Sequence, residues 1–371
     1  MIKVLNVCSD SNIGGAGKCI LCFCEKFDRS RFEMLLALPK GSLLVSEVEK
    51  LGVRVHLMNI EPDRSYDKSA VKKFVKLFRR IKPDVVHTHA SMSARIAARK
   101  CKIPLVYTRH SVFAQPKSKT SWFGKLLNGM INNLNADRVI AVAEAARQNL
   151  IDTGVSDKKI TVVLNGVAPL MPMGADQIIK VRRQYGIKDD EKVVAIVARL
   201  NEVKGHKYFI DAAEIVLKRG IRAKFLIVGN GDEEDAIAAY IKEKGLEENI
   251  IMTGFVKDVT SVMNLLDVQV NCSFGTEATS ISLLEGMSLG KPAVVTDFGG
   301  NSGVISNGEN GLIVSVKNAM ETANAVIRLL EEKDLYEKMV CRALEIYSTT
   351  FTAEAMTAQI ENIYTEMMEE K

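Results

Sequence analysis

The stretch "KVLNVCSDSNIGGAGKCILCFCEKF" (residues 3–27) indicates the class of fold. It opens with a short apolar run, typical of a buried β-strand, and passes through a polar, glycine-rich loop. It closes with a mostly apolar segment at helical spacing. A strand that feeds a helix through a tight loop is the building unit of parallel α/β sheets.

The same order recurs along the whole chain. Further strands are predicted at "FEMLLALP", "VRVHLMNI", "PDVVHTH", "PLVYTRH", "DRVIAVA", "KITVVLNG", "KVVAIVARL", "AKFLIVGNG", "NIIMTGFV", "VQVNCS", "KPAVVTD" and "GLIVS". Strands with few polar positions, separated by helices, indicate parallel sheets covered on both faces. The predicted fold class is therefore α/β, with two Rossmann-like, doubly wound domains facing a central cleft.

A break in this pattern suggests where the domains end. Residues 1–170 are assigned to a first domain, 171–190 to a linker and 191–349 to a second domain. The last helical run, from Ala319 to about Lys371, is broken near "STTFTAEA", so the helix at about 350–371 is free to pack back on the first domain. Ligands of open α/β sheets bind beyond the carboxyl ends of the strands, which makes the loops there the candidate sites.

Composition limits the class of protein. No apolar run reaches the roughly 18 residues of a membrane span, and the N-terminus is interrupted too soon for a secretory signal. Seven scattered cysteines suggest a reducing, cytoplasmic setting. Residues 1–170 contain 28 Lys and Arg against 14 Asp and Glu, whereas the rest contains 22 against 31. The basic half suggests an anionic partner, such as nucleic acid, a phosphorylated substrate or a lipid surface.

The glycine loop before the first helix has two interpretations. Gly14 and Gly15 precede a helix whose N–H groups could face an anion, or they form only a tight turn. A Walker A loop is disfavoured by Asn12 and Cys19.

Histidines and cysteines raise the question of a metal. Cys19, Cys22 and Cys24 lack a complementary pair of ligands and are expected to pack inward. His87 and His89 end one strand and are expected to line the cleft, although two such histidines could also bind a metal ion. His110 ends the next strand, at the edge where ligands bind, which favours a functional role over a structural one.

In the second half, cations follow the first strand. Arg199 and Lys204 in "ARLNEVKGH" suit a diphosphate, since Arg can hold two oxygens at once; the alternative is a solvated loop. Gly254 and Phe255 in "MTGFVKD" could present backbone to a nucleobase, a weak signal by itself.

The segment "TEATSISLLEGMSLG" (276–290) carries two glutamates in a small and apolar setting. Gly290 and the Lys-Pro that follows end a helix, and Thr279 or Ser280 can cap its start. Glu277 is thus predicted in the loop and Glu285 on the helix, on either side of a helix N-terminus that supports negative charge. Two surface glutamates fit poorly, because Glu285 has apolar neighbours and a buried carboxylate without a partner is costly.

These segments together resemble a known family. The E-x7-E arrangement, "GMSLGKPAVVTDFGG", "ARLNEVKG", "IVGNGDEE", "GGAGK", "KPDVVHTH", "YTRH" and "NGENGLIV" resemble, in this order, the retaining GT-B glycosyltransferases of family four (glycosyltransferase group 1). The resemblance spans nearly the whole chain. It implies metal-independent transfer, without a cofactor, of a hexose or N-acetylhexosamine from a nucleotide-sugar, most frequently UDP-linked, to an acceptor hydroxyl with retention of configuration.

The resemblance also implies roles for individual residues. Arg199 and Lys204 would hold the diphosphate, and Glu285 would bind the ribose hydroxyls. Glu277 would hold the donor sugar and His110 would contact it near the reacting carbon. The other implied donor-binding positions are Gly14, Gly15, Gly229, Gly254, Phe255, Val256, Ala278, Thr279 and Ser280. The departing phosphate would take the acceptor's proton on the same face of the sugar.

Two features depart from the family pattern. Where the family often has Gly-Gly-x-Pro-Glu, this chain has Gly299-Gly300-Asn301-Ser302-Gly303, so the usual glutamate is missing. "EATS" replaces the commoner Glu-Gly-Phe-Gly, which suggests a different donor-sugar preference.

The basic half suggests where the acceptor is. Residues 67–82 form an amphipathic basic helix whose apolar face is assigned to the core, although its basic face could rest on anionic lipid. "QPKSKTSWFGKLLNGMI", from Gln115, is interpreted as a mobile loop that touches a membrane. The expected acceptor is a cell-envelope glycan or a lipid-linked glycan, at the inner face of the cell membrane.

Two other classes of function stay open. A nucleotide-sugar epimerase on the same fold would need an acid/base pair and no acceptor. A nucleic-acid binder would use the basic half, but the aromatic and basic interleaving of such proteins is missing, so no nucleic-acid partner is expected.

Overall fold

The computed structural model describes residues 1–112 and 115–370, which divide into two compact units. One unit comprises Met1–Val167 together with Phe351–Lys371, and the other comprises Ala168–Thr350. Each is built on one parallel sheet, and every strand predicted from the sequence is present, most of them one to three residues shorter at an end.

The first unit has a seven-stranded parallel sheet in the order β3-β2-β1-β4-β5-β6-β7. Its strands are β1 (Ile2–Cys8), β2 (Phe32–Pro39), β3 (Arg54–Met58), β4 (Val85–His89), β5 (Leu105–Arg109), β6 (Arg138–Ala141) and β7 (Ile160–Val162). The helices up to this point are α1 (Gly15–Lys26), α2 (Leu44–Lys50), α3 (Lys68–Ile81), α4 (Met92–Cys101), α5 (Lys117–Thr120), α6 (Trp122–Leu134) and α7 (Glu144–Asp152). The chain runs outward from β1 in both directions, which is the doubly wound arrangement.

Apolar side chains of the sheet and helices form the core of this unit. Leu5 and Val7 of β1 pack with Phe74 and Phe78 of α3, all of them almost inaccessible to solvent. Helix α3 begins where the Asp67 carboxylate accepts hydrogen bonds from the Ser69 and Ala70 N–H groups. The prediction that the apolar face of this helix belongs to the core is confirmed.

The second unit repeats the design with six parallel strands in the order β10-β9-β8-β11-β12-β13. Its strands are β8 (Lys192–Val197), β9 (Ala223–Val228), β10 (Ile250–Gly254), β11 (Val268–Asn271), β12 (Ala293–Thr296) and β13 (Gly311–Val314). Its helices are α8 (Ala175–Gln184), α9 (His206–Lys218), α10 (Glu234–Glu243), α11 (Thr260–Leu265), α12 (Ile281–Ser288), α13 (Ala319–Glu331) and α14 (Lys333–Thr350). Short 3-10 turns lie at Asp157–Lys159, Glu202–Lys204 and Asn301–Gly303.

The last helix, α15 (Ala353–Glu369), belongs to the first unit and packs on α1. The ring of Tyr364 lies 6.1 Å from that of Phe23 and 6.0 Å from that of Phe32. The Glu361 carboxylate accepts a hydrogen bond from the Asp28 N–H, at 2.6 Å. Residues remote in sequence thus complete the first core.

One sequence-based expectation about local structure is wrong. Residues 115–131 do not form a loop: α5 and most of α6 lie there, and α6 continues to Leu134. The predicted break in the final helical run is present near Phe351, and the run has a second interruption at Glu332, the C-cap of α13. Within residues 1–112 and 115–370, no helix is both long and apolar enough to cross a bilayer.

Candidate active site

The predicted donor-site residues of the second unit lie at the carboxyl ends of its strands. Exposed Arg199 follows β8, Gly229 follows β9, and Gly254 ends β10. Because all the strands are parallel, these ends share one edge of the sheet, the edge where α/β domains bind ligands.

Two glycines at this edge are required by the backbone. Gly229 has φ +143°, and a Cβ there would lie 2.0 Å from the Ala198 carbonyl oxygen. Its N–H donates a hydrogen bond to the Gly254 carbonyl, at 3.0 Å, and Gly254 has φ +69°. The next side chain, Phe255, is 62% exposed, whereas Val256 packs partly against the core. The edge therefore presents bare backbone beside an exposed aromatic ring.

Lys204 and Glu277 form a largely buried ion pair. The Lys204 Nζ lies 2.8 Å from Glu277 Oε2 and donates to the Thr276 carbonyl at 2.9 Å. The same carboxylate oxygen accepts from Asn271 Nδ2 at 3.2 Å and from Ser273 Oγ at 3.0 Å. The Glu277 and Lys204 side chains are 8% and 18% exposed. The sequence predicts separate roles for these two residues, but the structure joins them.

No role was predicted from the sequence for Asn271 or Ser273. Both stand at the end of β11, and polar side chains at the carboxyl end of a buried parallel strand were the available signal. The glycines after β12 were also overlooked as support for Glu277. Gly299 has φ +60°, a Cβ there would lie 2.1 Å from the Glu277 carbonyl oxygen, and the Gly300 N–H donates to that oxygen at 3.2 Å.

Helix α12 begins close to the end of β8. The prediction places the start of the helix correctly, with Ser280 at the N-cap, but the Ser280 side chain does not cap the helix backbone. Its hydroxyl is instead 3.1 Å from that of Ser282, which donates to the Val197 carbonyl at 2.9 Å. Ala278 and Thr279 are buried in the approach to the helix, and Glu285 lies on α12 with 7% of its surface exposed.

The first unit contains a chain of hydrogen-bonded histidines at the ends of β4 and β5. Nδ1 of His89 lies 2.8 Å from Nε2 of His110, and Nε2 of His89 lies 3.2 Å from Oδ1 of Asn6. His87 bonds to Tyr364 of α15 and to Thr108 of β5, each at 2.6 Å. The three histidines line a cavity whose wall also includes Cys19, Phe23 and Asn165.

Burial fixes the charge state of these rings. It lowers the pKa of His87 to about 3 and that of His110 to about 4, and lowers that of His89 well below its usual range, where neighbouring His87 and His110 add to the effect. A neutral ring has one N–H and one acceptor nitrogen. Nε2 of His89 must donate to the side-chain oxygen Oδ1 of Asn6, so Nδ1 of His89 accepts from the Nε2–H group of His110. The remaining nitrogen of His110, Nδ1, is then an acceptor, and it is buried with no hydrogen-bond partner among the described residues.

The glycine loop before α1 is exposed, and hydrogen bonds between Ser11 and Asp63 hold it in place. Gly14 is the N-cap of α1 and Gly15 its first residue, and a Cβ on Gly14 would meet nothing within 4 Å. The Ser11 N–H and hydroxyl both donate to the Asp63 carboxylate, at 3.1 and 2.5 Å. No chain atom near Gly14 demands glycine, so the loop leaves room at the helix N-terminus.

The structure thus divides the predicted site residues between the units. Arg199, Lys204, Glu277, Gly229 and Gly254 lie at or after the carboxyl ends of strands in the second unit, and Glu285 lies on α12, whereas His110, Gly14 and Gly15 belong to the first unit. Cys19 and Cys24 are buried and Cys22 is half-buried. Among the described residues, no three His, Cys, Asp or Glu side chains are grouped so as to hold a metal ion.

Family models match both parts of the chain. The model for glycosyl transferases group 1 matches residues 177–345, and that for glycosyltransferase family 4 matches residues 13–169. Together these two ranges include most of both units.

Individual relatives give the same result. The N-acetyl-α-D-glucosaminyl L-malate synthase of Bacillus anthracis is 26% identical, over 82% of this chain and 80% of that protein. The UDP-Gal:α-D-GlcNAc-diphosphoundecaprenol α-1,3-galactosyltransferase of Escherichia coli is 28% identical, over 72% of each. In fold, the chain is similar to Anabaena HepE, solved in complex with UDP-glucose, with a TM-score of 0.86 and 23% identity over 99% of this chain and 100% of that one.

Proposed function

Because this chain belongs to the glycosyltransferases of group 1 and has their GT-B fold, we propose that it moves a hexose or N-acetylhexosamine from a UDP-sugar to an acceptor hydroxyl, with retention. The names of the E. coli and B. anthracis relatives support a UDP donor and an N-acetylhexosamine among the candidate sugars. The observation that carries the proposal is the ordered edge of the second sheet, where Arg199, the Lys204–Glu277 pair and the start of α12 occur together.

The donor diphosphate is proposed to lie against the positive groups of this edge. The Arg199 guanidinium is exposed and can bind two phosphate oxygens at once. The first N–H groups of α12 have no partner within the helix and point toward an anion at its N-terminus. Lys204 contributes a positive charge that Glu277 holds in place. Phe255 and the backbone of Gly229 and Gly254 would frame the base.

The carboxylates are proposed to bind hydroxyl groups. Among the described residues, the three side-chain contacts of Glu277 all use Oε2, so Oε1 is proposed to accept from a hydroxyl of the donor sugar. Glu285 is assigned to the ribose. In the first unit, the acceptor nitrogen Nδ1 of His110 suits another hydroxyl of the transferred sugar.

The proposed reaction needs no further reagent. The bond between the anomeric carbon and the diphosphate oxygen breaks, and its electron pair stays with the diphosphate. The acceptor oxygen forms the new bond on the same face, and its proton passes to the departing phosphate oxygen. Fixed positive groups opposite that phosphate lower the barrier, because they stabilise the charge that develops there.

Thermal unfolding with UDP and UDP-sugars tests the donor part. We expect UDP to raise the melting temperature of the wild-type protein, and to raise it weakly or not at all in Arg199→Ala and Glu285→Ala. Arg219→Ala, an exposed residue at the C-terminal end of α9, is the control and should respond to UDP like the wild-type protein. No stabilisation of the wild-type protein by any nucleotide diphosphate would contradict the proposal. Epimerised donor without acceptor would indicate the epimerase instead.

The acceptor is proposed to be a cell-envelope glycan or a lipid-linked glycan at the inner face of the membrane, reached by peripheral association. The lipid-linked substrate in the name of the E. coli relative supports this class of acceptor. The net positive charge of residues 1–170 supports an anionic surface as the partner. When the protein is incubated with labelled donor and a membrane lipid extract, we expect labelled product that partitions into organic solvent.

A further inference from the structure

Helix α6 of the first unit has its apolar side turned outward. Six large apolar side chains of this helix are more than half exposed, and they are Trp122, Phe123, Leu126, Leu127, Met130 and Leu134. At about 100° per residue these positions fall on one side of the helix, which is about 20 Å long. A helix on the surface of a soluble protein normally has the opposite orientation.

Small and polar residues of α6 fix the helix to the protein. Nδ2 of Asn128 donates to the Thr153 carbonyl at 2.6 Å, and Nδ2 of Asn133 donates to the Gly154 carbonyl at 3.1 Å. Gly129 is the only buried residue of the helix. A Cβ there would lie 2.2 Å from the Gly154 carbonyl oxygen, so the two backbones are in close contact.

A buried arginine fixes the end of the helix as well. Arg95, which is 3% exposed, donates to the Asn132 side chain at 3.0 Å and to the Asn132 and Asn135 carbonyls at 3.1 and 2.8 Å. Rotating α6 to bury its apolar side would break all of these bonds. The outward orientation is therefore built into the fold.

The charge around α6 identifies the kind of surface that it fits. Residues 115–136 contain three lysines, Lys117, Lys119 and Lys125, all exposed, and no aspartate or glutamate. Apolar and aromatic side chains beside lysines match the boundary between acyl chains and anionic headgroups. A second copy of the chain would bring the same lysines together across a symmetric interface, which disfavours self-association.

Helix α3, a strongly basic helix of this unit, does not offer such a surface. Its Val71, Phe74 and Phe78 are buried in the core, so only its charged side faces solvent. Charge alone gives loose attraction, whereas insertion needs exposed apolar area.

We propose that α6 is the membrane-docking element of this protein, inserting its apolar side into the interface of an anionic phospholipid bilayer. The assignment deepens the proposed membrane acceptor and rests on that part of the proposed function. It predicts that α6 lies in the plane of the membrane surface, because its length is well short of a span.

The sole tryptophan of the chain, Trp122, makes a direct test possible. Vesicles of phosphatidylcholine with phosphatidylglycerol should shift its emission to the blue, and brominated acyl chains should quench it. Vesicles of phosphatidylcholine alone should have little effect, and salt should weaken the binding. An emission that ignores anionic vesicles at low salt would overturn the proposal.

Variants of the full-length protein separate the contributions in vesicle sedimentation. Phe123→Ser/Leu126→Ser should weaken binding by about tenfold or more, because two inserted side chains are lost. Lys117→Gln/Lys119→Gln/Lys125→Gln should weaken it by a similar order and flatten its salt dependence. Leu57→Ser, an exposed apolar residue of β3, is the control and should bind like the wild-type protein.

Two further results would also reject the assignment. One is equal loss of binding in Leu57→Ser. The other is a blue shift of Trp122 that grows with protein concentration without lipid, together with a dimer in sedimentation velocity, since a second copy would then cover α6. Stabilisation by UDP, measured in parallel, keeps the two proposals apart: intact UDP binding without vesicle binding rejects only the role of α6.

Discussion

At the scale of single residues, the Lys204–Glu277 pair is expected to affect both the stability of the protein and the proposed sugar transfer. Lys204→Ala should lower the free energy of unfolding by about 3–5 kcal/mol, because it leaves the Glu277 carboxylate buried without its counter-charge. It should also abolish transfer. Chemical denaturation and a transfer assay measure the two effects.

The double variant distinguishes the two roles of this pair. Lys204→Met/Glu277→Gln removes both charges and should recover much of the stability but none of the activity. Lys218→Ala, which breaks the exposed pair with Glu214, should cost less than about 1 kcal/mol. If the double variant is as unstable as Lys204→Ala, the charge of Glu277 is not the cause of the instability.

The histidine chain gives a second prediction at this scale. Asn6→Asp places a carboxylate at Nε2 of His89, which favours the charged ring with two N–H groups. His89 would then donate from Nδ1, so His110 would have to accept at Nε2 and carry its proton on Nδ1. We expect the chemical shifts of the two ring nitrogens of His110 to interchange, because the proton moves from Nε2 to Nδ1. We also expect kcat to fall, because Nδ1 no longer accepts from a sugar hydroxyl. The nitrogen signals of His56 on β3 should not move, and an unchanged His110 pattern would refute the deduced tautomer.

At the scale of elements, close backbone contacts decide where α6 lies. Gly129→Ala should destabilise the protein by about 1–3 kcal/mol, since the added methyl group would overlap the Gly154 carbonyl. Hydrogen exchange should accelerate in residues 122–134 before it does in the strands. Gly174→Ala, whose Cβ would meet nothing within 4 Å, is the matched control and should change stability by less than about 1 kcal/mol. Unchanged exchange in α6 would mean that the Gly129–Gly154 contact does not hold the helix.

The elements also show what the sequence could and could not predict. Strands were predictable because parallel strands buried on both faces are apolar throughout. The expectation that ligands bind at the carboxyl ends of strands singled out Arg199, whereas Gly229 came only from the family resemblance. Helix α6 was taken for a loop because its segment combines lysines with a Trp and a Phe. Its outward apolar side could not be predicted either, because a helical pattern does not say which side packs on the protein.

Contacts between residues distant in sequence were beyond reach for another reason. Glu277 meets Lys204 across 73 positions, and Tyr364 meets His87 across 277. A single sequence contains local propensities but no record of such pairs. The bonds of the candidate site therefore could not be predicted from the sequence.

At the scale of the whole molecule, the first unit depends on the end of the chain. Ending the chain after Thr350 removes α15, and with it the Tyr364 ring packed on Phe23 and Phe32 and the hydroxyl bonded to His87. The exposed core should raise hydrogen exchange throughout residues 1–167 and leave residues 168–350 protected, because the second unit is contiguous in sequence.

If the shortened chain aggregates, point variants in α15 test the same prediction. Tyr364→Phe keeps the ring but leaves a polar atom of His87 without its partner in a buried site, so it should cost about 1–3 kcal/mol. Gln359→Ala, on the exposed side of the same helix, should cost almost nothing. Stabilisation by UDP should survive in both variants, because the proposed diphosphate groups all belong to the second unit. If Tyr364→Phe instead raises exchange in both units equally, the two units do not unfold separately, and the stability of the first unit cannot be assigned to its returning helix.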